Sequence, residues 1–300
     1  MRVLICSDGS EQAVRAIRLG AAIAGGCQAE TTLLGIIESP GQSKAILDSL
    51  NRGQALLESK KIHAELITKP GRPVEEISRR AEQTQYDLVI IGAVRKATRG
   101  PFWMSSKSYK IIKAINPPVL LVAGSWSALK RMLICTGGKR HIEDALPLAG
   151  EIARGLGASV SLLHVLPEPP AIYAGLPYMA QSADFLLRSP SELGVNLRHA
   201  LEILQSRAVP AQVLLRHGSV LGEILRETHN GAYDIIVTGS APSRSLRTYA
   251  LGDISREIIN RANCPVLVVR SQARPAETRF SLRRLLGRLS TGPPVRPQTS

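Results

Sequence analysis

The segment Tyr86-Asp-Leu-Val-Ile-Ile-Gly92 returns 147 residues later as Tyr233-Asp-Ile-Ile-Val-Thr-Gly239. A second segment, Asn116-Pro-Pro-Val-Leu-Leu-Val122, returns at the same offset as Asn263-Cys-Pro-Val-Leu-Val-Val269. A period of this length is that of a whole domain, whereas solenoid repeats are roughly 20–50 residues long. The repeat therefore indicates that the chain consists of two copies of one domain.

The two copies differ by one insertion. Their first apolar runs, Val3–Ser7 and Met132–Thr136, lie 129 residues apart, and the offset grows to 147 between about residue 38 and residue 70. The second copy therefore carries 18 additional residues in this region. We predict domains over residues 1–124 and 130–270, followed by a basic, disordered tail over residues 271–300.

Within each copy, short runs of Val, Ile and Leu alternate with segments whose apolar residues fall at helical spacing. We predict strands at about residues 2–6, 31–37, 62–68, 88–91 and 119–122, and in the second copy at about 131–135, 159–165, 211–216, 234–238 and 265–269. Continuous apolar strands separated by helices are typical of a parallel sheet covered on both faces. Right-handed crossovers then predict an α/β fold of two Rossmann-like, doubly wound domains with five strands each.

Composition limits the function classes. The net charge of +14 attracts nucleic acid, anionic lipid and phosphate, but the chain has no aromatic stacking runs and no motif that reads nucleic acid. No apolar run approaches the ~20 residues that span a bilayer, so we predict no membrane span. The four cysteines form no CxxC pair, and Cys6 and Cys135 fall within apolar strand runs. Buried thiols of this kind are typical of a reducing compartment, which predicts a cytoplasmic protein.

The chain lacks the motifs of common catalytic sites. It contains no G-x-S-x-G, no H-E-x-x-H and no G-x4-G-K-[ST] sequence, and its six histidines are widely separated. His164 and His217 end predicted strands of the second copy, where a histidine without a catalytic role is the simpler interpretation. We therefore predict no catalytic residues and no metal ligands.

A ligand site is predicted where the strands end. In an open α/β sheet, ligands bind beyond the carboxyl ends of the strands, at the point where the strand order reverses. In the first copy Asp8-Gly-Ser10 follows strand one. In the second copy, a basic loop follows strand four and leads to Gly252 and Ser255 at a helix start. Backbone N–H groups at such a place attract phosphate.

Together with the duplication, three segments carry a resemblance: Leu4–Ser10, Gly239…Gly252-x-x-Ser255, and Asn263–Val269. The chain resembles a tandem member of the universal stress protein A family over about residues 1–270. The resemblance implies five-stranded parallel sheets with the strand order 3-2-1-4-5. It also implies that ATP is a candidate cofactor, because many members bind ATP with an acidic residue after strand one and a G-x2-G-x9-G-[ST] loop after strand four. Members without that loop do not bind ATP.

The first copy matches this pattern only in part. Asp8 supplies the acidic residue and Gly92 starts the loop. Arg95 stands at the second glycine position, and Ser105 stands at the third, followed by Ser106. The candidate nucleotide-binding residues of this copy are therefore Asp8, Gly92, Ser105 and Ser106.

The second copy keeps more of the loop but departs from it elsewhere. Its candidate nucleotide-binding residues are Gly239, Ser240, Gly252 and Ser255. Pro242 replaces the second glycine and removes an N–H donor, and Gly137 stands where Asp8 stands. Asp253 replaces the small hydroxyl residue, and a carboxylate ~4 Å from a phosphate charge is repelled by about 4 kcal/mol. We therefore predict weak or absent ATP binding, with any residual site in the second copy.

The favoured interpretation is a non-catalytic stress-response or regulatory protein that acts by binding a ligand or a protein partner. One alternative is an ATP-binding protein with slow ATPase or other adenylate-handling activity. The other is a basic nucleic-acid-associated protein, which charge alone favours.

The resemblance also implies how the copies meet. Members with one domain commonly dimerise through their final strands, which here are Val119–Val122 and Val266–Val269. An apolar edge strand left bare invites aggregation. We therefore expect an intramolecular pseudo-dimer in which these strands lie antiparallel about a pseudo-two-fold axis.

Overall fold

The structure is a computed structural model. It describes residues 1–93, 95–96, 103–104, 106–124, 126, 128–138, 140–168, 182–240 and 252–270. The predicted tail, residues 271–300, and residues 169–181 of the insertion lie outside the described residues.

The first copy contains five long or medium strands and a short hairpin. The strands are β1 (Arg2–Ser7), β2 (Glu30–Ile37), β3 (Ala64–Pro70), β4 (Leu88–Gly92), the hairpin β5 (Arg95–Lys96) and β6 (Trp103–Met104), and β7 (Val119–Val122). The helices are α1 (Glu11–Cys27), α2 (Ser43–Glu58), α3 (Pro73–Gln83) and α4 (Ser106–Ala114), with a 3-10 turn at Pro40–Gln42.

The second copy repeats this order. Its strands are β8 (Arg131–Thr136), β9 (Ser159–Leu166), β10 (Ala211–His217), β11 (Ile235–Ser240) and β12 (Val266–Arg270). Its helices are α5 (Leu146–Leu156), α6 (Ala183–Arg188), α7 (Glu192–Gln205), α8 (Val220–Asn230) and α9 (Asp253–Arg261), with a 3-10 helix at Arg140–Asp144.

The strand order of each copy is the one that the resemblance implied. The first copy is ordered β3-β2-β1-β4-β7 and the second β10-β9-β8-β11-β12, and neighbouring strands within each copy are parallel. The fold class and the order 3-2-1-4-5 are confirmed. Strand β3 extends two residues further than predicted and ends at Pro70, which pairs with Ile37. It is an outer strand, where the missing N–H of a proline is tolerated.

The two five-stranded sheets join into one continuous sheet of ten strands. Strands β7 and β12 pair antiparallel, with Val119 opposite Val268, Leu120 opposite Leu267, and Leu121 opposite Val266. The final strands thus meet as expected, and neither forms an edge of the sheet.

Two apolar layers cover the sheet, and each runs through both copies. One layer lies beneath α1, α2, α5 and α7, and the other beneath α3, α4, α8 and α9. Alternate residues of the central strands belong to opposite layers, with Leu120 and Leu267 on one side and Val119 and Val268 on the other. The seam between the copies is therefore part of the core, and Val268 is only 2% exposed.

Residues at equivalent positions of the two copies meet along a pseudo-two-fold axis. In the sheet, Leu120 lies opposite Leu267. On one face, α1 contacts α5 so closely that a Cβ atom on Gly26 would lie 2.2 Å from the carbonyl oxygen of its equivalent, Gly155. No residue larger than glycine fits there without moving one helix.

On the other face, the equivalent residues of α4 and α9 are different. The guanidinium of Arg256 lies 5.7 Å from the ring centroid of Tyr109. A dimer of two identical copies would place Tyr against Tyr or Arg against Arg at these positions. The cation–π contact therefore favours pairing of the first copy with the second.

Among the described residues, no helix is long and apolar enough to cross a bilayer. The four cysteines are free; Cys6 and Cys264 are buried, whereas Cys27 and Cys135 are partly exposed. Burial raises the pKa of Cys27 to about 11 and that of Cys135 to about 12. These thiols remain protonated at neutral pH, as structural thiols do.

A charge placed in the seam should separate or unfold the copies. We expect Val268→Lys to lower the free energy of unfolding by about 3 kcal/mol or more, because an ammonium group would be buried without a partner. Urea denaturation followed by circular dichroism measures the change. The control is Val220→Lys, whose site is 44% exposed and where the change should stay within about 0.5 kcal/mol. Equal effects of the two variants would contradict this account of the seam.

A double-mutant cycle tests the contact on the axis. We expect Tyr109→Leu and Arg256→Gln to show a coupling energy of about 0.5–1 kcal/mol in urea denaturation, the value typical of an exposed cation–π pair. Lys113 also lies over the Tyr109 ring, at 5.4 Å, but the cycle removes its constant contribution. A coupling energy of zero would show that the two residues are neighbours without attraction.

Candidate functional site

A cavity lies at the carboxyl end of the first copy's sheet, where the strand order reverses between β1 and β4. It encloses about 80 Å³ between the sheet and helices α3 and α4. Its apolar wall is formed by Ala13, Ile36, Pro73, Ile77, Ile91 and Ile111. Several polar groups converge on the opening, which is the arrangement that small-molecule sites share.

The turn after β1 brings Asp8 to this cavity. Gly9 adopts a φ of +77°, which a residue with a side chain rarely adopts, and its N–H donates to the Ser7 hydroxyl over 3.2 Å. The Asp8 carboxylate accepts the Ser10 N–H over 3.0 Å, and the Ser10 hydroxyl in turn caps α1. Asp8 itself is exposed and lies at the rim of the cavity.

Gly92 ends β4 and lines the cavity. A Cβ atom there would lie 2.6 Å from the carbonyl group of Gln12, in the first turn of α1. The glycine is therefore needed where α1 packs on the end of β4, whether or not a phosphate binds nearby.

The glycine loop of the family is replaced in this copy by the hairpin β5–β6. Arg95, at the second glycine position, pairs with Met104 in that hairpin. Ser105 lies outside the described residues, and Ser106 is the first residue of α4. The two short strands of this hairpin were not predicted from the sequence.

Two charged residues of the cavity were not among the predicted ones. The Lys107 ammonium lies 2.5 Å and 2.8 Å from the two carboxylate oxygens of Glu38. Glu38 follows β2 and Lys107 lies in the first turn of α4, so the pair spans the cavity. Neither residue stands at a position of the family's nucleotide-binding pattern, so that pattern did not mark them.

In the second copy, the predicted residues lie at the ends of β11 and α9. Gly239 and Ser240 end β11, and Gly252 is the N-cap of α9. The intervening loop, residues 241–251, lies outside the described residues, so this predicted site stays a prediction. Asp253 is the first residue of α9 and is exposed. At this position its negative charge interacts favourably with the helix dipole.

Ser255 is placed near Gly239 but faces inward. It is 4% exposed, its hydroxyl donates to the Gly239 carbonyl over 2.9 Å, and it contacts the Thr238 hydroxyl at 2.9 Å. A serine hydroxyl has a single proton to donate. The donor of Ser255 is therefore used to hold α9 against β11.

At three aligned positions, the second copy lacks the charged groups that line the first cavity. Gly137, Pro167 and Ile254 stand at the positions of Asp8, Glu38 and Lys107, respectively. His164 is buried where the first copy has a glycine, and its Nδ1 lies 3.0 Å from the Thr136 carbonyl oxygen. The ring nitrogens of His217 are buried and have no partner within the part of the chain that the structure describes.

The cysteine that lines the first cavity is not an activated nucleophile. Burial raises the pKa of the Cys6 thiol far above neutral pH, so this cysteine of the cavity wall remains protonated. No group of three or more His, Cys, Asp or Glu side chains in the described ranges is arranged to hold a metal ion.

Comparison with known proteins gives a consistent family. The model described as "Universal stress protein family" matches residues 1–123 and again residues 128–270. Universal stress protein YxiE of Bacillus subtilis is 28% identical over 145 residues, which is 47% of this chain and 98% of that protein. Each such relative is therefore similar to one copy.

Solved structures show the same fold for the tandem arrangement. A universal stress protein from Archaeoglobus fulgidus has a TM-score of 0.68 at 19% identity, covering 90% of this chain and 98% of that one. A putative universal stress protein from Pseudomonas aeruginosa has a TM-score of 0.61 at 14% identity, covering 90% and 93%. With two matched domains that span most of its length, the chain belongs to the universal stress protein family as a tandem member.

Proposed function

We propose that the chain is a non-catalytic, regulatory universal stress protein whose first copy binds an adenine nucleotide weakly. The observation that carries this proposal is the cavity at the strand-order reversal, with an isoleucine-rich wall and Asp8 at its rim. A planar, largely apolar base suits such a wall, and the ribose hydroxyls suit a carboxylate acceptor. Asp8 and Gly92 are thus the predicted residues that we retain for this site.

We expect weak nucleotide affinity because the loop after β4 lacks glycines of the family pattern. Phosphate binding in the family pattern uses backbone N–H groups that glycines allow to approach closely. Arg95 takes part in the β5–β6 hairpin instead, so two of the three glycines have no equivalent in this copy. We therefore expect the base and ribose to supply more of the affinity than the loop does.

A binding role suits the site better than hydrolysis. Attack on a phosphate needs an activated nucleophile or a water molecule held by a base or a metal ion. The Cys6 thiol remains protonated, and the described residues of the cavity contain no histidine. A regulatory protein needs only a conformational difference between the free and bound forms, which a partner protein can recognise.

Analysis of the purified protein tests the proposal directly. Acid release followed by mass spectrometry should detect a co-purified adenine nucleotide at substoichiometric level, since a weakly bound ligand is partly lost during purification. Phosphate release from added ATP should stay at the rate of a buffer control. Steady ATP hydrolysis by the pure protein would instead support the alternative of a slow ATPase.

The role of Asp8 can be measured with a ligand that carries no phosphate. We expect Asp8→Asn to weaken adenosine binding about tenfold in calorimetry, because hydrogen bonds to a charged acceptor contribute roughly 1.5–3 kcal/mol. Asp184→Asn is the control: Asp184 is exposed in the second copy and does not line the cavity. Equal adenosine affinities for Asp8→Asn and the unmodified protein would place the ligand elsewhere.

A further inference from the structure

The Lys107–Glu38 pair has features of a binding element. Lys107 is the one cation among the described residues that line the first cavity. Its ammonium lies at 2.5 Å and 2.8 Å from both oxygens of Glu38, which joins the end of β2 to the start of α4. The pair closes no gap in the apolar core, because both residues lie on the open, polar side of the cavity.

The cation can exchange its partner at little cost. The side chains of Lys107 and Glu38 are 59% and 31% exposed, respectively. A pair this open to water contributes little to stability. A phosphate carries more charge than one carboxylate and offers three acceptor oxygens, so it competes well for an ammonium group.

On the basis of the proposed function, we infer that Lys107 binds the phosphates of the nucleotide in the first copy and that Glu38 competes with them. Lys107 binds the phosphates in place of the backbone N–H groups of a glycine-rich loop. Glu38 holds Lys107 at the cavity when it is empty and repels a phosphate that approaches. The site then selects nucleoside diphosphates and triphosphates over nucleosides, and Glu38 limits their affinity.

The second copy supplies an internal comparison. Pro167 and Ile254 stand where Glu38 and Lys107 stand, so neither member of the pair has a charged equivalent. Ile254 is 43% exposed and is therefore not there to fill the core. We therefore expect this pair to bind one phosphorylated ligand per chain.

Calorimetry with adenosine and with ADP separates the contributions. We expect Lys107→Gln to weaken ADP binding about tenfold while adenosine affinity changes less than about threefold. Glu38→Gln should strengthen ADP binding about threefold or more, because a repelling and competing charge is lost. The expected stoichiometry is one ADP per chain.

The control is Lys110→Gln, which removes the same charge from the same helix at an exposed position that does not line the cavity. Its ADP affinity should stay within about twofold of that of the unmodified protein. An equal loss for Lys107→Gln and Lys110→Gln would overturn the inference in favour of nonspecific attraction by the basic protein. Weaker ADP binding by Glu38→Gln would overturn the competing role of Glu38.

The two proposals fail in different ways. Binding of adenosine and ADP with no difference between Lys107→Gln and the unmodified protein would overturn the inference and leave the nucleotide site intact. Absence of adenosine and ADP binding in the unmodified protein and in Glu38→Gln would overturn the proposed function, and the inference with it. Thermal unfolding of each variant establishes that it is folded before its affinity is interpreted.

Discussion

The antiparallel pairing of β7 with β12 is the contact on which the rest of the molecule depends. Each of these strands would otherwise be an apolar edge, and their residues Val119 and Val268 are each 2% exposed. Pairing them makes both apolar layers continuous and brings equivalent residues together on a pseudo-two-fold axis. It also makes the strands of the second copy run opposite to those of the first. The carboxyl ends of the strands therefore lie on one side of the ten-stranded sheet in the first copy and on the opposite side in the second. A ligand in one copy therefore cannot bridge to the other.

The two copies share a fold but offer different chemistry at equivalent positions. The first has an acidic residue at the β1 turn and a Lys–Glu pair across its cavity, whereas the second has Gly137, Pro167 and Ile254 there. The second keeps more glycines, yet its Ser255 hydroxyl is used within the protein. Glycine spacing alone is thus a poor guide to the better site, because a glycine can serve close packing, as Gly92 does against α1. At these aligned positions, the two copies differ in the charge that their side chains carry.

The strand order was predictable because both copies contain apolar runs without polar alternation, and a resemblance then supplied their arrangement. Three features were not predictable. The β5–β6 hairpin depends on pairing of Arg95 with Met104, and strands of two residues are too short to give a recognisable sequence pattern. The inward orientation of Ser255 depends on how α9 packs against β11. Lys107 and Glu38 are 69 residues apart, so only the folded sheet shows that they meet. The shared location of Asp8 and Gly92 was predictable from the sequence, because one follows β1 and the other ends β4, and these neighbouring strands are parallel.

The connection between the copies spans only residues 123–130, between the end of β7 and the start of β8. Because the strands of the two copies run in opposite directions, the end of β7 and the start of β8 lie on the same side of the sheet. A short connection is therefore sufficient. A tether of this length holds the two halves at an effective concentration in the millimolar range. Formation of the seam is therefore a first-order event within one molecule, and dilution does not reverse it. A dimer of separate chains loses its seam when its cellular abundance falls below its dissociation constant, whereas the tandem chain keeps its seam even at a few copies per cell.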